Sequence, residues 1–399
     1  MKAVYSTSRF GFPTETIAEG SVKVVVPRLS ASVKKAPVFY NPIMKLNRDI
    51  AVAALQTYQK MLSRKLIVCE PLAGCGVRGI RFATEVKGIR QVVINDLNPE
   101  AVKLAKFNVR KNGLVDEVHV ENTDANTLLS LHSAPAQRFD YVDLDPFGSP
   151  APFIDSAIRT LRSGGLLGLT ATDVAPLCGV HPQSCLRKYG GRPLRTEYCH
   201  ELAIRILIGS LVLTAARHDA GSRVLLCHST NHYVRAYVTV NYRVGEANRS
   251  VSEMGYILHC FRCYHREIAV GIACQFVGLC SECGGKLSVA GLLWLGKLFD
   301  KDFCRKVRDE IEMEKSNEKT RLRKLLDTIL EEVDGPPTYY VIDRVCDRYN
   351  LPIPPKQKVL SELRAAGYRA THTHFHARGV RTDASAKDFV EIIKRLSQP

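Results

Sequence analysis

The sequence lacks a long, uninterrupted apolar segment. Residues 1–20 contain no apolar run of the kind that marks a secretory signal peptide, so we expect no export signal. The longest apolar stretch, from Leu202 to Ala216, is interrupted by Arg205 and Ser210 and is too short to cross a bilayer. We therefore expect a core helix there, no membrane partner and a cytoplasmic location. The chain also has no internal repeat and no low-complexity tract, so it is not a repeat protein.

Acidic residues are scarce relative to basic ones. The 399 residues include 40 Asp and Glu against 56 Lys and Arg, which gives a formal net charge of +16 at pH 7. This excess indicates a polyanionic partner, and nucleic acid is the first candidate, although a basic protein without such a partner fits the same number. The apolar share of 45% and the charged share of 24% are ordinary, and the length favours two or three domains.

Because no export signal is expected, the thirteen cysteines are interpreted as reduced thiols rather than disulfides. Four of them form two C-x-x-C pairs, Cys260 with Cys263 and Cys280 with Cys283. Residues 264–279, sixteen in all, separate the pairs. This spacing is typical of a tetrahedral thiolate site, and four protein ligands predict a structural rather than a catalytic Zn²⁺.

The remaining cysteines show no such spacing. His259, His265 and Cys274 lie close to the two pairs in sequence, so one of them is an alternative fourth ligand. The others are interpreted as ordinary buried thiols: Cys69, Cys75, Cys178, Cys185, Cys199, Cys227, Cys304 and Cys346.

Short apolar strands alternate with helices along the first 250 residues. This alternation predicts an α/β fold with a doubly wound parallel sheet, closed by an antiparallel hairpin that turns at Thr230, Asn231 and His232. The predicted strands are Leu66–Glu70, Gln91–Asp96, Val118–Glu121, Phe139–Leu144, Gly165–Ala171, Arg223–Ser229 and Tyr233–Arg243. The predicted helices are Arg48–Lys60 with Asn47 as cap, Gly79–Val86, Pro99–Asn112, Pro152–Arg162 and Glu197–Arg217.

The loop after the first sheet strand carries a G-x-G-x-x-G pattern at Gly74, Gly76 and Gly79. Such a loop lets the backbone approach a ligand, and a dinucleotide site would use the same glycines. Acidic residues at the ends of four successive strands favour a cationic donor with an adenosine over a pyrophosphate. Each acid taken alone is more often a helix cap. The four are Glu70, Asp96, Asp124 (followed by Ala125) and Asp145.

The segment Asp145-Pro146-Phe147-Gly148 follows a buried strand and has the composition of an active site. A carboxylate can accept hydrogen bonds from an amine, the proline stiffens the backbone, the phenylalanine offers a stacking face, and glycine permits close approach. These properties suit a nucleobase with an exocyclic amine. A plain strand-to-turn junction is the alternative.

Two further segments have a composition that suits substrate contact. Phe39, Tyr40 and Arg48 are unusual in a linker and predict a pocket wall, with an ordinary packed loop as the alternative. The basic segment Arg187–Arg195 has a composition that suits contacts with phosphate and base, and a solvated loop fits that composition equally well.

Past residue 335, two helices and a basic hairpin predict a winged-helix-like module over residues 336–399. His372, His374 and His376 alternate in a predicted strand, and a solvent-facing or RNA-facing edge is favoured there over a metal site. We predict domains at 1–250 and 251–399, the second a smaller α+β domain with a zinc-ribbon-like knuckle at 256–290.

The chain resembles the tRNA guanine-26 dimethyltransferases, which methylate the exocyclic N2 amine of guanine with S-adenosylmethionine. The segments that carry the resemblance span most of the chain. They are residues 38–42, 46–49, 76–82, 95–96, 124–126, 143–150, 170–173, 175–179, 185–189, 199–201 and 371–375.

The resemblance implies a seven-stranded class I methyltransferase sheet, a Rossmann-like fold, and a separate C-terminal domain that grips tRNA. It implies that Asp145 holds the guanine. It assigns the methyl donor to Arg48, Arg78, Asp96, Asp124 and Ala125. The residues themselves add Glu70 on the donor side, Pro146 and Phe147 beside the reacting amine, and Phe39, Tyr40 and Phe147 against the base. A monomer is compatible with the sequence.

Other functions remain possible on the sequence. One is amine methylation of guanine or adenine in another RNA or in DNA, although adenine enzymes usually carry two prolines where this chain has Pro146 alone. A second is a nicotinamide-dependent oxidoreductase that uses the glycine loop. A third is a non-catalytic, zinc-containing RNA-binding protein, which would have no need of Asp145 beside a donor pocket.

Overall fold

A computed structural model describes residues 9–28, 36–230, 232–313 and 318–397. The central residue of the predicted hairpin turn, Asn231, lies outside these residues.

The elements follow the alternation that the sequence predicts. The strands are β1 (Thr14–Glu19), β2 (Val22–Pro27), β3 (Leu66–Glu70), β4 (Ile89–Asn95), β5 (Val118–Glu121), β6 (Phe139–Leu144), β7 (Leu161–Ala171), β8 (Ala220–Thr230), β9 (Tyr233–Tyr242), β10 (Met254–Cys260), β11 (Arg266–Val270), β12 (Leu287–Trp294), β13 (Tyr340–Val341), β14 (Ala370–His372) and β15 (Gly379–Thr382). The helices are α1 (Lys45–Leu62), α2 (Val77–Glu85), α3 (Pro99–Lys111), α4 (Ala125–Leu131), α5 (Ile154–Thr160), α6 (Val174–Leu177), α7 (Pro182–Tyr189), α8 (Cys199–Ala216), α9 (Val244–Ser252), α10 (Lys301–Met313), α11 (Lys319–Glu332), α12 (Ile342–Tyr349), α13 (Lys356–Ala365) and α14 (Ala386–Leu396).

The principal sheet has seven strands in the order β5-β4-β3-β6-β7-β9-β8. Strands β3 to β7 pair in parallel, and β8 pairs with β9 antiparallel, from Ala220 opposite Tyr242 to Thr230 opposite Tyr233. The order turns back at β3, where β4 and β6 lie on opposite sides, and ligands of doubly wound sheets bind at such a switch point. The predicted doubly wound sheet with a terminal hairpin is therefore confirmed.

Strand β7 begins earlier than predicted, at Leu161 rather than Gly165. The sequence Gly164-Gly165 indicates a turn, but the register between β6 and β7 shifts here and Gly164 adopts a φ of +80°. The glycines thus form an irregularity inside the strand instead of ending it. Helix α5 is correspondingly shorter than the predicted Pro152–Arg162.

Helix α1 begins before the residue that was predicted to cap it. Asn47 lies within its first turn and is fully buried. The side chain that caps this region is Asn41, whose Oδ1 accepts from the Ile43 N–H at 3.0 Å. Asn47 is therefore free to act elsewhere, and its Oδ1 accepts from Arg78 at 2.9 Å.

By their internal contacts, the residues divide into two compact units. The first comprises Met1–Pro146, Phe153–Leu169 and Arg305–Arg323. The second comprises Phe147–Pro152, Thr170–Cys304 and Lys324–Pro399. The predicted domain boundary after residue 250 stays a prediction.

In the first unit, the hairpin of β1 and β2 is attached to α3. The Asn108 side chain accepts from the Val25 N–H at 2.7 Å and donates to the carbonyls of Val25 and Cys75 at 2.9 and 3.0 Å. Asn108 is fully buried, so it satisfies backbone groups that water cannot reach.

In the second unit, α8 is the central helix. By length and hydropathy alone its 18 residues could cross a membrane, but 67% of them are buried inside the protein. A core helix passes the same test, and burial on this scale agrees with the prediction of a core helix.

The second unit also contains two small sheets, with the orders β11-β10-β12 and β13-β15-β14. Residues 336–397 contain β13, α12, α13, β14, β15 and α14, and the winged-helix-like interpretation of this region stays a prediction. A compact apolar core lies among these helices, built around Ile342, Leu360, Val380 and Phe389.

A buried charge network links α8 to this C-terminal region within the second unit. Glu201 accepts from Arg381 at 2.8 Å and from Arg205 at 2.9 Å. Arg381 also donates to Glu332 at 2.9 Å, and Glu332 pairs with His374. Burial by itself raises the pKa of Glu201, but the two arginines outweigh it and hold the pKa at about 2.

His374 contradicts one prediction. Strand β14 ends at His372, and the His374 side chain is 1% exposed and paired with Glu332 rather than facing solvent. The alternating pattern therefore did not continue through His376, because the buried carboxylate provides a stronger partner for an imidazole than water does.

Candidate active site and metal centre

Three carboxylates in the first unit share one guanidinium. The Arg78 Nε lies 3.5 Å from Glu70 Oε1 and 3.5 Å from Asp143 Oδ1, and Arg78 Nη2 donates to Asp145. Glu70 ends β3, whereas Asp143 and Asp145 lie at the end of the neighbouring parallel strand β6. The geometry thus brings together Glu70, Arg78 and Asp145 as the sequence predicted, and adds Asp143 and Asn47.

Glu70 is a fully buried acid of this cluster with a raised pKa. Burial raises its pKa to about 8, with Asp143 and Asp145 acting in the same direction and Arg78 and the Gly79 N–H opposing. One positive group cannot balance three negative ones, so the cluster retains a proton or attracts a cation. This electrostatic arrangement suits a positively charged ligand.

The glycine loop is built for close backbone approach. Gly74 and Gly76 have φ of +56° and +78°, and a Cβ on Gly74 would lie 2.7 Å from the Phe39 carbonyl oxygen. The Gly74 N–H donates to Asp96 Oδ2 at 2.8 Å, and Asp96 Oδ1 accepts from the Asn98 N–H at 2.9 Å. Asp96 is therefore fixed in orientation at the end of β4.

Asp124 lies apart from the Arg78 cluster and caps a helix. Its Oδ1 accepts from the Thr127 N–H at 3.0 Å, which is the cap that the sequence offered as the alternative to a ligand role. Ala125 is buried as the first residue of α4. The cap fixes one Asp124 oxygen at the end of β5.

Arg48 and Tyr40 belong to a different cluster. Arg48 donates to both carboxylate oxygens of Glu19 at 2.6 Å, and the Tyr40 hydroxyl donates to Glu19 at 3.1 Å. The Arg48 guanidinium lies 5.3 Å from the centre of the buried Tyr40 ring. Arg81, which the sequence analysis missed, pairs with Glu19 at 3.2 Å and with Asp49 at 2.7 Å. Arg81 lies in the segment 76–82 that carries the resemblance, but that segment assigned a role only to Arg78.

The three aromatic residues predicted to contact the base are exposed to different degrees. Phe147 is 66% exposed and Phe39 is 42% exposed, whereas Tyr40 is 7% exposed. Phe39 and Phe147 therefore expose part of their rings to solvent, and the ring of Tyr40 is covered by Arg48.

Hydrogen bonds within the second unit hold the segment after Phe147. The Gly148 N–H donates to Thr172 Oγ1 at 2.8 Å, and the Thr172 N–H donates to the Gly148 carbonyl at 3.0 Å. The Ser149 hydroxyl donates to the Tyr189 oxygen at 2.7 Å, and the Tyr189 hydroxyl donates to Asp173 at 2.6 Å. Burial, followed by the bond to Asp173, raises the pKa of Tyr189, so it stays a hydroxyl donor.

These supporting residues were not predicted as site residues. Thr172, Asp173 and Tyr189 lie in the segments 170–173 and 185–189. These segments carry the family resemblance, but no role was assigned to them from the sequence. Of the predicted basic contact segment, Lys188 pairs with Asp173 at 2.9 Å.

The four paired cysteines form one cluster. Their sulfur atoms all lie within 4.8 Å of one another, with Cys260 Sγ 3.5 Å from Cys283 Sγ and Cys263 Sγ 3.6 Å from Cys280 Sγ. A tetrahedral Zn²⁺ with Zn–S bonds of about 2.3 Å places its sulfur atoms roughly 3.7 Å apart. The donor set and its spacing therefore fit that ion.

None of the alternative ligands joins this cluster. His265 lies 3.1 Å from both Glu267 and Glu282, and the Cys274 thiol donates to backbone carbonyls at 3.3 Å. His259 is buried, with its ring 4.5 Å from that of Phe261. Burial lowers the pKa of His259 to about 3.

Two of the cysteines interpreted as ordinary buried thiols are not isolated. Cys178, Cys199 and His200 bring one potential ligand atom each to within 4.8 Å of the other two. The sequence could not predict this, because residue 178 lies about twenty positions before the other two and the contact depends on how α6 packs on α8.

Comparison with known proteins decides the family. The family model for N2,N2-dimethylguanosine tRNA methyltransferases matches residues 20–394. This chain belongs to that family. A relative from Methanosphaera stadtmanae named tRNA (guanine(26)-N(2))-dimethyltransferase is 41% identical over 385 residues, which cover 96% of this chain and 98% of the relative.

Other members of the family extend the likeness. A relative from Aquifex aeolicus is named tRNA (guanine(26)-N(2)/guanine(27)-N(2))-dimethyltransferase. It is 35% identical to this chain, and the aligned residues cover 96% of each protein. The solved complex of Trm1 from Pyrococcus horikoshii with S-adenosyl-L-methionine is 35% identical, with a TM-score of 0.84, and the match covers 95% of this chain and 99% of that one. The Rossmann-like methyltransferase fold is thereby confirmed.

Proposed function

We propose that this protein transfers methyl groups from S-adenosylmethionine to the N2 amine of guanine 26 in tRNA, giving N2-methylguanosine and then N2,N2-dimethylguanosine. The observation that carries the proposal is the cluster of Glu70, Asp143 and Asp145 around Arg78 in a chain of this family. The cluster lies at the end of the β3–β6 pair, beside the strand where the sheet order turns back.

On the donor side, the residue set suits a cationic ligand with an adenosine. Glu70 would contribute negative charge, Arg78 would orient the carboxylates, and Asp96 would accept from ribose hydroxyls at the end of β4. Asp124 and Ala125 would lie against the adenine. Arg48 would act indirectly, through its contacts with Glu19 and the Asn41 carbonyl. The glycine loop provides a backbone surface that a side chain at Gly74 would obstruct.

On the acceptor side, the reacting amine belongs to a guanine that has left the base stack. Phe147 would stack on it. Phe39 stays a predicted base contact, and Tyr40 would support Arg48 rather than touch the base. Pro146 fixes the backbone between Asp145 and Phe147. Asp145 would accept an N–H bond from the amine.

The chemistry requires an oriented amine more than a strong base. S-adenosylmethionine supplies an electrophilic methyl group on a sulfonium. The nitrogen lone pair is delocalised into the guanine ring, so a carboxylate that accepts its N–H bond directs the lone pair and offsets positive charge that develops on nitrogen. Positioning by Asp145 and Phe147 supplies most of the acceleration. One N–H remains after the first transfer, so a second transfer is possible at the same site.

The C-terminal region is proposed to contact tRNA. Its four-cysteine cluster would hold a structural Zn²⁺ through Cys260, Cys263, Cys280 and Cys283, which ties β10 to the loop before β12. The net charge of +16 supports a polyanionic partner. Such a protein would act in the cytoplasm, where tRNA is modified.

The test is mass analysis of nucleosides from unmodified tRNA transcript incubated with the protein and labelled donor. Dimethylguanosine mapped to position 26 is the expected result. Label at position 27 as well would extend the target, as the name of the Aquifex aeolicus relative suggests for that protein. No methylated nucleoside, with donor binding intact, would contradict the tRNA target and favour another nucleic acid or a purely binding role. A shift in melting temperature with nicotinamide nucleotides instead of the methyl donor would contradict the cofactor.

A further inference from the structure

Two thiols and an imidazole converge where α6 packs on α8. Cys178 directly follows α6, and Cys199 and His200 are the first two residues of α8. The Cys178 Sγ lies 3.7 Å from His200 Nδ1, and all three ligand atoms lie within 4.8 Å of one another. Among the residues that the structure describes, this group and the four-cysteine cluster are the two sets of at least three His, Cys, Asp or Glu at such spacing.

The spacing matches the edges of a metal-centred tetrahedron. Zinc bonds of about 2.3 Å to sulfur and about 2.0 Å to nitrogen place neighbouring ligand atoms roughly 3.5 to 3.8 Å apart. The measured separation of 3.7 Å between Cys178 Sγ and His200 Nδ1 falls within that interval. Cys178 is 8% exposed, so the site is shielded from solvent on at least one side.

We propose that Cys178, Cys199 and His200 bind a second Zn²⁺ ion, separate from the four-cysteine cluster. Two thiolates and an imidazole form a donor set that zinc accepts readily. Binding would release the thiol protons of Cys178 and Cys199 to solvent as two zinc–sulfur bonds form. Three protein ligands leave a fourth position for water.

The ion would fasten the turn after α6 to the first turn of α8. Helix α6 directly follows Thr172 and Asp173. Thr172 accepts a hydrogen bond from the Gly148 N–H, and Asp173 binds the Tyr189 hydroxyl, which in turn contacts Ser149. The site would therefore support the segment that carries Phe147 without touching a substrate, and its residues are positioning residues.

Zinc content of the full-length protein tests the proposal. The wild-type protein and the variants are incubated with Zn²⁺, freed of unbound metal and analysed by inductively coupled plasma mass spectrometry. Cys178→Ser/Cys199→Ser should contain one zinc equivalent fewer than wild type. Cys185→Ser, which alters another buried thiol, on α7, should contain the same amount as wild type. Equal zinc in the folded double variant and in wild type would overturn the proposal.

Because the comparison is a difference, it does not depend on whether the four-cysteine cluster is filled. Cys260→Ser combined with the double variant should lose one further equivalent.

A second measurement uses the wild-type protein and so avoids any failure to fold. Zn²⁺ should protect Cys178 and Cys199 from alkylation, and a chelator should expose them, as read by peptide mass. Equal alkylation in both conditions would contradict the site.

Discussion

Asp145 combines partial burial with an ionic partner. Its side chain is 16% exposed and is held by Arg78, so the carboxylate is oriented before a guanine arrives. Preorganised acceptors of this kind lower a barrier because no reorganisation is needed at the moment of reaction.

Replacing Asp145 by asparagine should separate chemistry from donor binding. The amide retains the shape but loses the negative charge that offsets developing charge on nitrogen, so we expect methyl transfer to fall by about 10²- to 10³-fold. Donor affinity, measured by calorimetry, should change little. Asp155→Asn on α5, where the carboxylate pairs at the surface with Arg159, is the matched control and should keep full activity. Near-normal turnover by Asp145→Asn would contradict the assigned role.

Tyr189→Phe should affect turnover rather than binding. The substitution removes the hydroxyl that connects Ser149 to Asp173 and leaves the ring in place. We expect kcat to fall by about tenfold, with an unchanged KM for the donor, since the segment carrying Phe147 loses its anchor. Tyr349→Phe on α12 serves as the control. A change in donor KM with unchanged kcat would show that Tyr189 acts in another way.

Among the elements, β3 and β6 bring three carboxylates to one edge of the sheet. Since burial and the two neighbouring carboxylates raise the pKa of Glu70 to about 8, this group is largely protonated near pH 7. A cationic donor favours the ionised form, so donor binding and proton release are coupled.

Donor affinity should therefore increase as pH rises through about 8. Calorimetry at pH 7 in buffers of different ionisation enthalpy should detect proton release on binding. Glu70→Gln should abolish both the release and the rise in affinity. Affinity that is independent of pH between about 6.5 and 8.5 would contradict a protonated Glu70.

The buried side chain of Asn108 on α3 holds the hairpin of β1 and β2. Asn108→Ala leaves the buried N–H of Val25 and two carbonyls without partners, so we expect a loss of about 2 kcal/mol in unfolding free energy. Chemical denaturation measures this loss. Lys106→Ala on the exposed side of α3 should cost less than about 0.5 kcal/mol. Equal stability of the two variants would show that the hairpin is held by other contacts.

Periodic features were predictable from sequence, and features that depend on packing were not. The strands β3 and β6 were predicted residue by residue, because each is a short apolar run bounded by turn residues. The start of α1 was wrong, since Asn47 is a good cap by composition but its amide is used by Arg78. The position of Asp145 followed from its place after β6, whereas Asp143, Thr172 and Tyr189 act through contacts between distant segments.

For the whole molecule, the excess of basic residues should govern tRNA binding. Neutralised phosphates release counterions, so tRNA affinity should fall by at least about tenfold between ~50 and ~200 mM salt. Filter binding measures this slope. Donor affinity, which depends on buried groups, should change by less than about twofold over the same range. A flat salt response of tRNA binding would contradict a phosphate-tracking surface.

The network of Glu201, Arg205, Glu332, His374 and Arg381 determines where the gene can be divided. Arg381 lies near the C-terminus, yet two of its carboxylate partners are fully buried on α8 and α11. A fragment that ends before Arg381 would carry a buried Glu332 with no guanidinium, at a cost of about 3–5 kcal/mol. A fragment that keeps Glu332 and ends before Arg381 should therefore yield aggregates or proteolytic fragments when it is expressed.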